Sequence, residues 1–265
     1  MTINSFCKVN LSLRVRKNWR IARLHRIKSK ITLVEDFYDT IKITEIPEKK
    51  IKLICNFPEI LNENNSVVRA AMEFLKFHEI STGLEIKLIK RIPLGSGLGG
   101  GSSNAIATIE CLTQMFQLNR SKPLLKIVCK AIGYDSYFFA SGYKTAIVSG
   151  YGQRVKKAKV MEKIGRNDLI LNRHISCSTR SVYERYDEIY DPSMLEEVNS
   201  LKQACISAYP EMQEVFKMYP EAQLSGTGST MFIIPPPPPE VIPPTQEELD
   251  AAAQEEAEKK AASYF

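Results

Sequence analysis

An α+β fold is the class this sequence predicts, on three observations. Segments of period-two apolar alternation come in adjacent pairs, as antiparallel strands do. Amphipathic helical stretches are mixed among them without the regular strand–helix–strand alternation of a parallel sheet. The chain of 265 residues, 44% hydrophobic and 25% charged, has the length and composition to bury a core in one large or two modest domains.

The elements follow in order. Residues 3–15, INSFCKVNLSLRV, alternate most clearly in VNLSLRV and predict a first strand. The dense basic run RVRKNWRIARLHRIKSK (Arg14–Lys30) reads as a solvated loop or strand edge. YDTIKITEI (Tyr38–Ile46) and KKIKLICNF (Lys49–Phe57) alternate again and are expected to be antiparallel neighbours. SVVRAAMEFLKFHE (Ser66–Glu79) has helical spacing behind an Asn/Ser-rich cap. LEIKLIKRIP (Leu84–Pro93) returns to period two, and a glycine run leads into a helix from about Ser102 to Phe116. KPLLKIVCKAIG (Lys122–Gly133) is a short helix closed by glycine. YKTAIVSGYGQRVKKA is a hairpin with Gly150 and Gly152 at its turn.

DLILN (Asp168–Asn172) opens a second region as a buried strand. STRSVYERYDE starts a helix capped by Ser178 or Thr179. EEVNSLKQACISAYPEMQEVFKMYP supplies more helix, and AQLSGTGSTMFIIP is strand, tight glycine turn, strand. From Pro235 the character changes. PPPPPEVIPP predicts stiff polyproline II, and TQEELDAAAQEEAEKKAA is polar, helix-favouring and short of apolar surface. The segment 235–265 therefore reads as a flexible linker and solvated tail.

Several classes of function are disfavoured. No apolar run approaches the roughly 18–20 residues of a membrane span. The start, MTINSFCKVNLSLRV, lacks the pattern of a signal peptide. Six scattered cysteines with no close pair predict reduced thiols, and together these features predict a cytoplasmic protein. The net charge of +6 is uneven. Seven acidic residues and two lysines follow Pro235, so the rest of the chain, with 34 basic and 23 acidic residues, carries +11. Such a body suits a polyanionic small molecule. Nucleic acid is the weaker expectation, because the basic residues are dispersed and not interleaved with aromatics.

The most informative stretch is IPLGSGLGGGSSNA, with five glycines between Gly95 and Gly101. Gly95, Gly97 and Gly100 satisfy the G-x-G-x-x-G spacing, but the second strand and acidic residue of a dinucleotide fold do not follow. A Walker A loop needs Gly-Lys-Ser/Thr at its end, and Gly101 runs straight into Ser102. Protein-kinase motifs are absent downstream. What remains is a set of backbone N–H groups that can converge without Cβ clashes at the positive end of a helix, with Ser102 and Ser103 adding hydroxyls. A flexible surface turn is the plain alternative; the position between a clean strand and a clean helix favours phosphate binding.

This stretch resembles the phosphate-binding motif of the GHMP kinases. CKVNLSL (Cys7–Leu13), IGYDSYFFASG (Ile132–Gly142) and LSGTGSTMF (Leu224–Phe232) are similar to three further motifs of that family, in its order. DFYDTIKI, VVRAA and CSTRSVYERYD also fit, so the resemblance spans roughly residues 3–234. It implies a two-lobed fold with an N-terminal domain like ribosomal protein S5 domain 2, a smaller α/β C-terminal domain, and an active site in the cleft between them. The expected boundaries are 1–155 for the ATP-binding domain and 156–234 for a trimmed C-terminal domain. The implied activity is ATP-dependent phosphorylation of the tertiary 2-hydroxyl of a cytidylylated methylerythritol in isoprenoid precursor synthesis. Another alcohol (homoserine, mevalonate or a sugar) and a weakly active nucleotide-binding relative are the alternatives. The protein is expected as a monomer or homodimer.

The resemblance also implies roles. Asp135 is the general base, with Lys8 beside it to hold it ionised and lower the pKa of the substrate hydroxyl. Asn10, two residues from Lys8 on the same strand face, helps hold substrate. Pro93, Gly95, Gly97, Leu98, Gly99, Gly100, Gly101, Ser102 and Ser103 form the ATP site, with Mg2+ reached through Ser102 or Ser103. Ser225, Gly226, Thr227 and Gly228 shape the opposite wall. For the cytidine, His25 supplies base hydrogen bonding, Tyr183 stacking and Thr179 a contact to base or sugar. Without the motif, Asp135 would read as a helix cap and His25 as one more polar residue in a basic loop. The sequence departs from the family pattern at Arg23 and Leu24, where glycine and tyrosine are common before the histidine. It departs too at Asn104 (commonly aspartate), at Tyr137 (usually proline), and where polyproline begins at Pro235.

Overall fold

The computed structural model describes residues 1–17, 24–160 and 163–236. The centre of the basic run (18–23, including Arg23) and the expected polar tail from 237 onward lie outside the described residues. From Met1 to Pro235 the chain packs as one compact unit.

Its larger sheet is organised by one long strand. β1 (Thr2–Val15) lies antiparallel along β2 (Ile27–Ile46), with Val15 opposite Ile27 and Thr2 opposite Lys42. The register shifts between Phe6 and Cys7 and again between Asn10 and Ser12. β3 (Ile51–Cys55), α1 (Ser66–Phe77) and β4 (Gly83–Ile89) follow. Tyr38–Ile46 and Lys49–Phe57 are not the antiparallel neighbours expected from their alternation. β4 pairs with β2 on that edge, and β3 lies outside it, parallel to β4. The other edge of β2 is taken by β1, so β3 has no place beside it. α1 supplies the crossover that a parallel pair requires.

α2 (Gly100–Met115) starts two residues before the expected Ser102, because Gly99 in the left-handed conformation forms its N-cap. Glycine's poor helix propensity pushes a sequence-based start too late. α3 (Lys122–Ile132) and α4 (Ser136–Ser141) come next, then the hairpin β5 (Thr145–Gly150) and β6 (Arg154–Lys157). One sheet face packs on α1, α2 and α3 through a core that includes Ile41, Phe74, Ile86, Ile109, Leu112 and Val128. Burial of such side chains contributes about 1.5–3 kcal/mol each and dominates the stability of this region.

The smaller region holds a three-stranded antiparallel sheet. β7 (Leu169–Ile170) is shorter than DLILN suggested, since Arg166–Asp168 is spent on a 3₁₀ turn. α5 (Thr179–Ile189), α6 (Lys202–Ala208) and α7 (Glu211–Met218) lead to β8 (Gln223–Leu224) and β9 (Met231–Phe232), in the order β7-β9-β8. Ser178 is the N-cap of α5, accepting from the Ser181 N–H. The end of β1 enters this second core, where Leu13 and Val15 pack with Val182, Tyr186, Leu201 and Met231. The Tyr186 hydroxyl donates to the Val15 carbonyl at 2.6 Å. β1 thereby ties both cores together.

Candidate functional site

A cavity of about 480 Å³ opens where β1, the start of α2 and the loop before β9 meet. Lys8, Asn10, Asp135, the 93–102 loop, Thr179, Tyr183, Gly226 and Thr227 border it. A second cavity of about 880 Å³ adjoins it, sharing Ser102, Asp135, Thr179 and Tyr183 and adding His25 and Asp187. The two form one continuous cleft.

Gly97 and Gly99 explain the glycine run. Both have left-handed φ, +73° and +70°. A Cβ on Gly97 would lie 2.1 Å from the Ser225 carbonyl oxygen, and one on Gly99 would lie 3.1 Å from Cε of Lys8. These side chains are absent because the loop is pressed against the protein itself. Beyond them, Gly100, Gly101 and Ser102 occupy the first turn of α2, where backbone N–H groups have no helical partner. The next amide, that of Ser103, donates to the Gly99 carbonyl at 2.9 Å. The helix start thus presents three donors and the positive end of a dipole to the cleft.

Ser102 faces that cleft, but Ser103 does not. The Ser103 hydroxyl is buried and donates to the Phe6 carbonyl at 2.6 Å, 2.7 Å from the Ser5 hydroxyl. The expectation that Ser103 serves phosphate or magnesium is corrected by this geometry: at this point of the helix its side chain points into β1.

Lys8 stands at the junction of the loops. Cys7 and Val9 enter an apolar cluster with Val34, Ile92 and Leu98 on one side of β1, while Lys8 and Asn10 face the cleft on the other. The Lys8 backbone N–H donates to the Leu98 carbonyl, fixing the strand against the loop. Its ammonium is 2% exposed as a residue and donates to Asn10 Oδ1 and to the Gly97 carbonyl, each at 2.6 Å. Asp135 Oδ2 lies 3.7 Å away. Asp135 sits at the N-cap of α4 with αR backbone and no capping bond from its side chain, which is 46% exposed to the cleft. The capping reading of this aspartate therefore fails. Tyr137, in the usual proline position, keeps the turn, donating its N–H to the Tyr134 carbonyl and stacking on that ring.

The 225–230 loop closes the opposite wall. Ser225 Oγ donates to the Gly97 carbonyl at 3.2 Å and accepts from the Asn10 N–H at 3.4 Å. Asn199 was not singled out from the sequence, yet its buried amide donates to the carbonyls of Leu224 and Gly226. Thr227 Oγ1 is 3.3 Å from Thr179 Oγ1, joining this loop to α5. No local pattern marks an asparagine that braces a loop some 25 residues away.

At the far end, the His25 ring lies on Tyr183, with centroids 4.9 Å apart and tilted 39°. His25 Nε2 is 2.7 Å from Asp187 Oδ1. Burial, and then the charge of Asp135, push the Tyr183 phenol above its ordinary range, so it stays neutral. Asp187 was also missed, although its place four residues after Tyr183 puts both on one helix face. Leu24 is 45% exposed and borders this cavity.

Asn104 belongs to a buried set beneath the loop. Lys90 Nζ donates to Asp39 Oδ2 at 2.5 Å and to Asn104 Oδ1 at 3.1 Å. The Asn104 amide donates to Asp39 Oδ2 and to Ser5 Oγ, each at 2.9 Å. An amide suits this position because it accepts from Lys90 and donates to Asp39 at once; a carboxylate would face Asp39 with no proton to give. Buried charges of this kind persist only when paired and bonded.

Comparison with known proteins agrees with these features. Residues 65–143 match the GHMP kinases N terminal domain. The 4-diphosphocytidyl-2-C-methyl-D-erythritol kinase of Syntrophus aciditrophicus is 33% identical over 88% of this chain and 88% of that protein. The same-named kinase of Ureaplasma parvum is 30% identical over 88% of this chain and 95% of its own length. A crystal structure of 4-(cytidine 5'-diphospho)-2C-methyl-D-erythritol kinase superposes with a TM-score of 0.70 at 26% identity, covering 88% of this chain and 90% of that one. The expected GHMP-kinase fold is thus the fold of this chain.

Proposed function

Since the chain belongs to the 4-diphosphocytidyl-2-C-methyl-D-erythritol kinase family, we propose that it transfers the γ-phosphoryl group of ATP to the 2-hydroxyl of 4-(cytidine 5'-diphospho)-2-C-methyl-D-erythritol, in isoprenoid precursor synthesis. The observation that carries this reading is the meeting of one carboxylate, one buried ammonium and a helix N-terminus in a single cleft. Phosphoryl transfer asks for little covalent chemistry from the protein. It needs a positioned hydroxyl, a place for its proton and neutralisation of the transferred charge.

In this reading Asp135 accepts the proton from the 2-hydroxyl, having a cleft-facing carboxylate with no capping duty. Lys8 balances the charge at that point and, held by Asn10 and the Gly97 carbonyl, does so without reorganising. The amides of Gly100, Gly101 and Ser102 receive the phosphates, and the loop from Pro93 to Gly99 shapes their approach. Magnesium entering with the nucleotide supplies further neutralisation, and Ser102 is the hydroxyl the chain offers it. Ser225, Gly226 and Thr227 confine the acceptor from the other side. Tyr183, Thr179 and His25 receive the cytidine, with Nε2 of His25 engaged by Asp187. Residues 1–155 carry the nucleotide half of this scheme and 156–234 the smaller C-terminal half.

The test is to incubate the purified protein with ATP, magnesium and the cytidylylated substrate and to follow ADP release. One ADP per substrate consumed is expected. Turnover on homoserine, mevalonate or a sugar alone would move the assignment to another alcohol. No turnover with nucleotide binding intact would leave a nucleotide-binding relative.

A further inference from the structure

A third cavity, of about 550 Å³, lies outside the cleft and is lined by the part of the basic run that catalysis leaves unused. Its floor is the outer face of the large sheet. Arg14 on β1 is directly opposite Lys28 on β2, Lys28 opposite Ser149 on β5, and Ser149 opposite Arg154 on β6. Residues opposite one another share a face, so this row runs across four strands. Two residues along, the Arg16 N–H donates to the Arg26 carbonyl, adding a second cationic pair on that face. All five cations are exposed, while Leu13, Val15 and Val148 alternate inward.

Among the described residues no carboxylate lines the cavity, and none of the five cations forms an ion pair. Some exposed cations elsewhere are paired, as in Lys52–Glu85, Arg120–Glu110, Lys144–Glu35 and Arg180–Glu184; here five unpaired ones share one concave face. Like charges directly opposite in a sheet are destabilising, so the Arg14–Lys28 pair weakens the fold unless an anion occupies the space between.

We propose that this cavity is a second anion site, taking a small molecule that carries a diphosphate or triphosphate group. Dimensions favour a compact ligand over a nucleic acid. Three interstrand spacings span roughly 14 Å and the second row adds about 7 Å, so the cations form a patch and not a stripe. Leu195 on one side and the Gly150–Gln153 turn on the other make it a concavity. Its volume lies in the ordinary small-ligand range of roughly 300–1,000 Å³. Ile27 and Tyr151 border both this cavity and the base end of the cleft, and Arg26 adjoins His25. An occupant is therefore placed to influence the base subsite.

Calorimetric titration of tripolyphosphate into the full chain tests this, with the glycine loop saturated by a non-hydrolysable ATP analogue. Binding should persist at saturating analogue, weaken with added salt, and fall at least about tenfold in the K28A/R154A double variant. Both side chains are exposed, so the variant should fold, melt no lower than the parent and keep its kcat. Pyrophosphate and an alkyl diphosphate run in parallel distinguish the source of the group, and the proposal requires at least one to bind with the same variant sensitivity. Tripolyphosphate that is fully displaced by the analogue and indifferent to the double variant would overturn it. So would a short single-stranded oligonucleotide that binds more tightly than tripolyphosphate and is lost in the same variant.

Discussion

The two ends of the cleft are built from different material. At the phosphate end the main chain makes the surface: Gly97 and Gly99 lie against Ser225 and Lys8 where side chains do not fit, and α2 offers bare amides. At the base end side chains make it, with His25 laid on Tyr183 and held by Asp187. Main-chain recognition requires glycine at fixed spacing and leaves a strong local signature. Side-chain recognition across distant segments leaves almost none, because many residue types can stand at each position until the fold brings them together.

The contrast can be broken by substitution. Asp135→Asn should lower kcat on the order of 10²–10⁴-fold with ATP affinity nearly unchanged, measured by steady-state kinetics and nucleotide titration. A kcat within twofold of the parent would remove Asp135 from the phosphate end. Gly97→Ala should come next. Its Cβ meets a backbone oxygen at 2.1 Å in a left-handed conformation, so the loop must move. A loss of stability exceeding about 1 kcal/mol and a raised KM for ATP are expected, from thermal melting and kinetics. Gly101→Ala is the control for main-chain packing, since its Cβ would find nothing nearer than the Ser66 hydroxyl at 3.8 Å. There stability should hold or rise by up to ~1 kcal/mol, while KM for ATP reports whether phosphate rests on that turn.

At the base end, Asp187→Ala should raise KM for the cytidylylated substrate by about tenfold, the cost of a lost hydrogen bond to an orienting group, with kcat nearly constant. Asp187 acts through His25, so Asp187→Asn should restore part of the loss. A change in kcat alone, or no change at all, would separate Asp187 from base recognition.

A separate effect, on stability alone, concerns pH. Burial pushes the Cys7 thiol, next to Lys8, up from 9.0 to about 12, and Cys129 likewise. Both folded values lie above the unfolded one, so the unfolded chain loses these protons first as pH rises. Stability is full below pH 9 and declines toward pH 12, by roughly 1.4 kcal/mol per pH unit for each thiol at most. Denaturant melts at pH 8 and pH 10 should show the decline, and Cys7→Ala should make it shallower.

The sequence by itself determined the α+β class, the glycine cradle, the shared face of Lys8 and Asn10, and the order of motifs that marks the family. Each rests on interactions within a few residues: period-two alternation, glycine's conformational freedom and the open amides of a helix start. Tertiary structure decided the rest. It put β4 between β2 and β3, because β1 holds one edge of β2 and β4 pairs along the other, leaving β3 outside. It turned Ser103 into β1 and left Ser102 to the cleft. It made Asn104 a fitted partner of Lys90 and Asp39, where the motif alone marked only a departure. It also lined up Arg14 and Lys28 of the linear run, read there only as a solvated loop or edge, with the distant Arg154 in one basic row across four strands. Pairing across strands and burial of charge depend on residues far apart in the chain, and only the folded chain settles which of them meet.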